Sequence, residues 1–419
     1  MTKRLLFLLW MIGAVLRVQA DYILIPMDYT QRDHLKSYGM AYWVIEHEVD
    51  VDWLLNYRGG SFMFRYSSVF EQELRIRGVT YERIADGKSA EILAYVTSDG
   101  VNMDAVKLET APKIAVYSPK NKQPWDDAVT MVLTYAEIPY ETVYDPEVLD
   151  GKLTEYDWLH LHHEDFTGQY GKFYASYRNH KWYQEEVQAQ ESIAQRYGFT
   201  KVSQMKLAVA KQIKEYLNNG GFLFAMCSAT DSYDIALAAE GTDICASMFD
   251  GDPSHPTAQD ELDFSYSLAF ENFELVMDPL QYEFSNIDSN VGRFVQQHMD
   301  YFTLFEFSAK WDPVPTMLCQ NHTRTVKGFM GQTTSFRRSV LKEEVLVMGE
   351  LKAYNEARYI HGNYGKGMWT YYGGHDPEDY QHLVGEEPTD LSLHPNSPGY
   401  RLILNNILFP AARKKKQKT

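Results

Sequence analysis

The chain has 419 residues, of which 45% are hydrophobic and 23% charged. Composition of this kind excludes a disordered chain, a collagen-like repeat and a coiled coil, and the length suits roughly two to three domains at about 150 residues each. With 57 acidic against 40 basic residues the formal net charge is −17, which argues against nucleic acid as a partner, because phosphate affinity needs a positive footprint.

The first twenty residues read as a signal peptide. Lys3 and Arg4 precede an apolar run from Leu5 to Leu16, and Val18-Gln19-Ala20 offers small residues at a cleavage site. Arg17 interrupts the run before it reaches the ~20 apolar residues of a spanning helix. The expectation is a periplasmic or secreted protein with no membrane span once the leader is removed. Cys227, Cys245 and Cys319 are an odd number and cannot all pair, so no disulfide framework is expected.

Short apolar runs then alternate with amphipathic stretches, the pattern of an α/β fold with a parallel sheet. Residues 21–108 read as an N-terminal α/β unit. It has a strand at 22–26, a helix at 31–46, a strand at 51–57 ending at Arg58-Gly59-Gly60, a helix at 68–77 and a strand at 79–84, with 97–112 as linker. The first part of the core spans 109–240. Strands are expected at 114–117, 140–144, 158–162 and 222–226, with helices at 125–137 and 203–218, the latter stopped by Asn218-Asn219-Gly220-Gly221. Residues 241–325, rich in Asp, Pro, Phe and Tyr without clear period, read as an insertion. The last part of the core, 326–412, carries strands at 345–348 and 367–372 and a helix at 399–408. Residues 413–419 form a basic tail that reads as solvated.

Ligands of open α/β sheets bind beyond the carboxyl ends of the strands, and three expected strand ends carry reactive side chains. These are His160-Leu161-His162-His163-Glu164-Asp165, Cys227, and Gly373-Gly374-His375-Asp376-Pro377-Glu378. Cys227 lies between Ala225 and Ala229, and small residues at those positions admit the sharp strand–nucleophile–helix turn. A following helix N-terminus would favour the thiolate. His375 is the natural proton acceptor and donor, with Glu378 or Asp376 orienting its ring. His162, His163, Glu164, Gly374 and Asp376 are expected to line the substrate pocket. Right-handed crossovers place all parallel strand ends on one edge, so His162, His163, Cys227 and His375 should converge although 213 positions apart at most.

The run Tyr364–Glu378 resembles the closing segment of ThuA-like domains, members of the class I glutamine amidotransferase-like superfamily. The helix around Tyr400–Leu408 and the strand after Gly220-Gly221 are similar to the same family's. The resemblance covers about 113–240 and 340–412 and implies a flavodoxin-like core. The superfamily's Cys, His and Glu would fall on Cys227, His375 and Glu378. The whole chain is also similar to exported Bacteroidetes proteins labelled asparagine synthetase B. A cysteine at the mature N-terminus and a glycine-rich phosphate loop belong to that chemistry, whereas Asp21 and Ser228-Ala229-Thr230-Asp231-Ser232 stand at those places.

The leading expectation is therefore a hydrolase of amide or related bonds using Cys227, His375 and Glu378, acting on a small-molecule or glycan-like substrate. One alternative is a non-catalytic binding or assembly protein, whose partner surface would be the aromatic insertion with Phe264, Tyr266, Phe270, Phe273, Tyr282 and Phe284. Another is a metal-dependent hydrolase with zinc held by His162, His163, Cys227 and His375, since Cys and His suit that ion. No other cofactor is implied.

Overall fold

The computed structural model describes residues 21–412 except 121–122, 291–292, 294 and 382, so the expected leader at 1–20 and tail at 413–419 lie outside the described residues. Two sheets organise the chain. The first joins β1 (Tyr22–Ile25), β2 (Val51–Leu55), β3 (Ser61–Arg65), β4 (Glu82–Ile84) and β5 (Asp104–Leu108) in the order β4-β1-β3-β2-β5. Every pair is antiparallel, so the parallel pattern does not extend to this unit. For β2 and β3 the cause is a tight reversal, which yields antiparallel neighbours. Arg58, Gly59 and Gly60 all take positive φ, and a Cβ on Gly59 would lie 2.2 Å from the Met27 carbonyl. Hence β2 turns straight into β3, a strand that the sequence reading did not include.

The stretch read as a linker, 97–112, is also structured. It holds β5, which pairs with β2 through Val51 and Leu108. Asp104, Val106 and Leu108 are buried while Ala105 and Lys107 are partly exposed, the period-two alternation of a strand covered on one face.

The second sheet holds β6 (Ile114–Tyr117), β7 (Glu141–Val143), β8 (Trp158–Leu161), β9 (Phe222–Met226), β10 (Tyr301–Leu304), β11 (Thr325–Lys327), β12 (Phe336–Arg337), β13 (Leu346–Leu351), β14 (Glu356–Tyr364) and β15 (Gly367–Tyr372). Its order is β11-β10-β13-β14-β15-β9-β8-β6-β7, with β12 beside β14. From β15 through β9, β8 and β6 to β7 all neighbours are parallel. Beyond β15 they are antiparallel, beginning with the β14–β15 hairpin at Gly365-Lys366. The protein is thus a mixed α/β structure. The 241–325 region adds β10 to this sheet and buries Phe249, Phe270, Phe273, Phe284 and Phe302, while Tyr266, Tyr282, Tyr301, Phe305 and Trp311 stay exposed.

Successive residues of the parallel strands serve two different cores. Ile114, Val116, Trp158, Phe224 and Met226 pack on one face, and Ala115, Tyr117, Leu159, Leu161, Leu223 and Ala225 on the other. Burial on both faces is why these strands read as unbroken apolar runs. On one face lie the helices His34–Glu46, Ala128–Tyr135 and Pro398–Leu408, whose core continues into the first sheet through Ile23, Trp53 and Phe62. The last of these helices starts with Ser397 capping the Tyr400 N–H and Pro398 in the first turn. Its buried Arg401 donates to the carbonyls of Met27 (3.0 Å) and Gly59 (2.6 Å), and Asn405 accepts from the Tyr38 hydroxyl. The opposite face is covered by the helices Val202–Asn218 and Ala229–Ala238, the former burying Met205, Val209, Ile213 and Leu217 at four-residue spacing. Among the described residues no helix is long and apolar enough to cross a membrane.

Candidate functional site

β9 ends at Met226 and a helix begins at Ala229, leaving two residues for the turn. Cys227 makes it with φ +49, a left-handed conformation that costs a non-glycine residue about 1–3 kcal/mol. Its surroundings hold it there. The Cys227 N–H donates to Gly374 O (3.1 Å), its carbonyl accepts from Thr230 N–H (3.2 Å), and the Ala229 N–H donates to His162 O (2.9 Å). The backbone N–H of Gln332 donates to Cys227 Sγ at 3.3 Å. Ala225 and Ala229 are fully buried, so the small side chains flanking the turn are required by packing.

His375 follows β15 through Gly374, whose φ of +103 and contact with the Phe329 ring leave no room for a Cβ. The ring of His375 is hydrogen-bonded with Cys227 and lies with Nε2 3.5 Å from Asp126 Oδ1. Burial alone would lower its pKa, but Asp126 and Cys227 outweigh burial and raise it to about 10. The other ring nitrogen, Nδ1, is 3.1 Å from His162 Nε2.

Behind His375, His160 of β8 and His162 just beyond its end form a chain. His162 Nδ1 is 3.4 Å from Asp127 Oδ1 and 3.4 Å from His160 Nε2, and His160 Nδ1 meets the Phe224 carbonyl at 3.1 Å. Burial, only partly offset by Asp127, pushes His162 down to about 4. His163 is lowered well below the ordinary range by burial and by His162 and His375 beside it. Glu164 accepts from the His162 N–H (3.0 Å), and burial pushes its carboxyl up to about 8.

A cavity of about 240 Å³ opens over these groups. Cys227, His163 and His375 form its floor, and Trp125, Phe173 and Tyr282 are prominent in its wall. The rings of Trp125 and Phe173 are 5.2 Å apart and those of Phe173 and Tyr282 5.7 Å apart. Gln332 also lines it, its side-chain amide fixed by the carbonyls of Gly171 and Tyr282.

The four side chains expected to converge therefore do so: His163, Cys227 and His375 meet at the cavity, and His162 supports His375 from behind. Two carboxylates expected at the site are occupied elsewhere. Glu378 Oε2 sits 3.1 Å from His394 Nδ1 and 3.7 Å from Lys327 Nζ. Asp376 is fully buried and accepts from Tyr400, Thr389 and the Glu378 N–H. Gly374 acts through its backbone, and Glu164 lies beneath His162 and His163. Asp126 and Asp127 are the site carboxylates that the sequence reading did not include. They follow the parallel strand β6, so the strand-end rule that found His375 applied to them as well. Ser228–Ser232 forms the elbow and the start of a buried helix, with Asp231 accepting from Thr333 Oγ1, and no phosphate loop forms there.

Neither a family model nor a curated protein matches the sequence. Among solved structures, Cytoplasmic Protein STM3548 from Salmonella typhimurium is 11% identical with a TM-score of 0.35. Cytoplasmic Protein STM1381 from Salmonella typhimurium LT2 is 11% identical with a TM-score of 0.37, and both matches cover 72% of this chain and 100% of the other. A beta-galactosidase from Bacillus circulans sp. alkalophilus matches 65% of this chain and 29% of its own, at 11% identity and a TM-score of 0.27. Likenesses this distant carry no argument about function.

Proposed function

We propose that this chain is an exported hydrolase of amide or related bonds, with Cys227 as nucleophile, His375 as proton acceptor and donor, and Asp126 rather than Glu378 as the carboxylate beside the ring. The observation that carries this reading is the backbone of Cys227. A non-glycine residue at φ +49 persists only where the surroundings enforce it, and a strand-to-helix elbow beneath a cavity is where a nucleophile uses such strain. The parallel strands run β7-β6-β8-β9-β15 across the sheet, second-first-third-fourth-fifth in chain order. That order supports a flavodoxin-like core and, with it, the class I glutamine amidotransferase-like resemblance.

In the reaction, Cys227 Sγ attacks the substrate carbonyl carbon with its proton already held on His375, whose pKa Asp126 and Cys227 raise. The ring then returns that proton to the leaving nitrogen, and a thioester remains on Sγ. Water attacks the thioester, giving its proton to His375; the acid departs and the thiolate re-forms. The Ser228 N–H, next after the nucleophile, is the backbone donor such an elbow turns toward the developing oxyanion. Trp125, Phe173 and Tyr282 favour an apolar or sugar-like group beside the scissile bond. That same use of Tyr282, together with the burial of Phe270, Phe273 and Phe284, favours this reading over a partner surface on the insertion.

The test is iodoacetamide alkylation of chelator-treated protein near neutral pH, with the labelled residue found by mass spectrometry. Cys227 should react first, because burial pushes the Cys245 and Cys319 thiols up. Cys227→Ala should abolish turnover of any amide substrate found, with little change in thermal midpoint. A Cys227 no more reactive than Cys245 and Cys319 would end the thiol reading.

A further inference from the structure

We infer that His162, His163 and His375 bind one divalent cation of the zinc class, with a fourth position open to the cavity. One donor nitrogen from each of these three side chains lies within 4.8 Å of the others. Their orientation is what makes the cluster a ligand set rather than a ring stack. His162 Nδ1 faces the Asp127 carboxylate, with Oδ1 at 3.4 Å, so the ring proton belongs on Nδ1 and the lone pair on Nε2. His375 Nε2 faces Asp126 Oδ1 at 3.5 Å, so the other lone pair belongs on Nδ1. With those neutral tautomers, His162 Nε2 and His375 Nδ1 face each other across 3.1 Å. Such an arrangement is stable only with a cation between them, either a proton or a metal ion.

Several features favour the metal. Two nitrogens bound to one tetrahedral zinc at ~2.0–2.1 Å stand about 3.4 Å apart, close to the spacing seen here. A carboxylate behind each ligating imidazole is the usual outer-shell partner of zinc, and Asp127 and Asp126 supply one for each ring. His163 supplies the third donor. Its side chain is 11% exposed, and among the described residues neither ring nitrogen has a hydrogen-bond partner. Glu164 Oε1, 3.8 Å from Nε2, is beyond hydrogen-bond reach, so this buried imidazole is expensive as it stands, and its place in the cavity lining directs it to a ligand. Imidazole donors suit zinc and its neighbours rather than calcium or magnesium. Cys227 is outside this donor set, so three protein ligands leave a position for water or substrate, the pattern of catalytic rather than structural zinc.

This inference shares His375 with the thiol reading, and the two exclude each other at that ring: with Nδ1 on the metal and Nε2–H on Asp126, His375 has no lone pair left for the Cys227 proton, so the thiol reading describes the metal-free protein. The full chain, purified without an affinity tag and stripped by chelator, is titrated with zinc chloride against a chromophoric chelator, and separately with cobalt(II) chloride. One equivalent should bind with a dissociation constant of about 1 µM or tighter. Cobalt should give the visible bands of a four-coordinate site without a thiolate charge-transfer band. Cys227→Ala should bind zinc as the parent does, and His163→Gln at least about tenfold more weakly, with zinc no longer raising its thermal midpoint. Absence of saturable binding below about 0.1 mM in the parent, or unchanged affinity in both His163→Gln and His163→Asn, overturns the site. Loss of binding in Cys227→Ala overturns the three-histidine assignment. Alkylation is measured on stripped protein, so the thiol reading stands or falls separately.

Discussion

The backbone N–H of Cys227 donates to the carbonyl of Gly374, 3.1 Å away, so the elbow after β9 is tied to the residue immediately before His375. The two reactive side chains are thereby registered by main chain, ahead of any contact between them. Gly374→Ala should break this register. A Cβ there would lie 2.4 Å from the Phe329 ring, on a residue with φ +103. We expect a loss of about 2 kcal/mol or more in urea unfolding, together with slower alkylation of Cys227; unchanged stability would contradict the placement of this turn.

Asp126 and Glu378 separate cleanly by substitution. Asp126→Asn should slow alkylation of Cys227 near neutral pH by at least about tenfold, since it faces the ring that contacts the thiol. Glu378→Gln should leave that rate within about twofold, because its carboxylate sits on His394 and Lys327. The reverse ranking would restore Glu378 as the orienting group.

His361 gives a pH signature remote from the cavity. It is buried between β14 and β15 with Nδ1 3.0 Å from Thr370 Oγ1, and burial lowers its pKa to about 4. The unfolded chain therefore binds the extra proton between about pH 6.5 and pH 4. Stability is intact above that window and is lost as pH falls through it. Urea unfolding at pH 7 and pH 5 should differ by about 2 kcal/mol less in His361→Gln than in the parent, at 1.36 kcal/mol per pK unit. An equal difference in both proteins would refute this assignment.

Lys206 and Asp145 form a buried ion pair beneath the second core, with Nζ 2.9 Å from Oδ2 and both side chains almost wholly inaccessible. Tyr117 and Tyr144 close around it. Lys206→Met strands a buried carboxylate and should cost about 3–5 kcal/mol, whereas Lys206→Met with Asp145→Asn should recover part of that loss. Calorimetry of the three proteins checks the ordering.

The elements that positioned the site were the most legible ones. Phe222–Met226 and Gly367–Tyr372 are covered on both faces, so their sequences are nearly continuous apolar runs, and Cys227 and His375 stand where those runs stop. β14 was harder, because Arg358, His361 and Asn363 interrupt it. Arg358 is fully buried and lies 3.6 Å from Asp300, a partner 58 positions earlier that local pattern cannot reveal. Asp126 and Asp127 were absorbed into a helix read from Trp125. The helix starts at Ala128, and Asp127 is its cap, accepting from Val129 and Thr130. The amidotransferase-like resemblance puts the carboxylate on Glu378, three residues past His375. Asp376 turns the chain between them, and that turn sends Glu378 to the far side.

Arg401 spans 374 positions to reach the Met27 carbonyl, and the helix that carries it fills the space between the two sheets. During synthesis Tyr38 of the helix His34–Glu46 can cover Trp53 and Phe62, but the core shared by that helix and Pro398–Leu408 stays open until nearly the whole chain has emerged. Contacts of such separation form late and slowly. The nascent protein should remain open and chaperone-dependent throughout elongation. Ribosome-stalled chains ending before Pro398 should be digested by protease at the N-terminal unit, while chains extended past Leu408 clear of the exit tunnel should resist it.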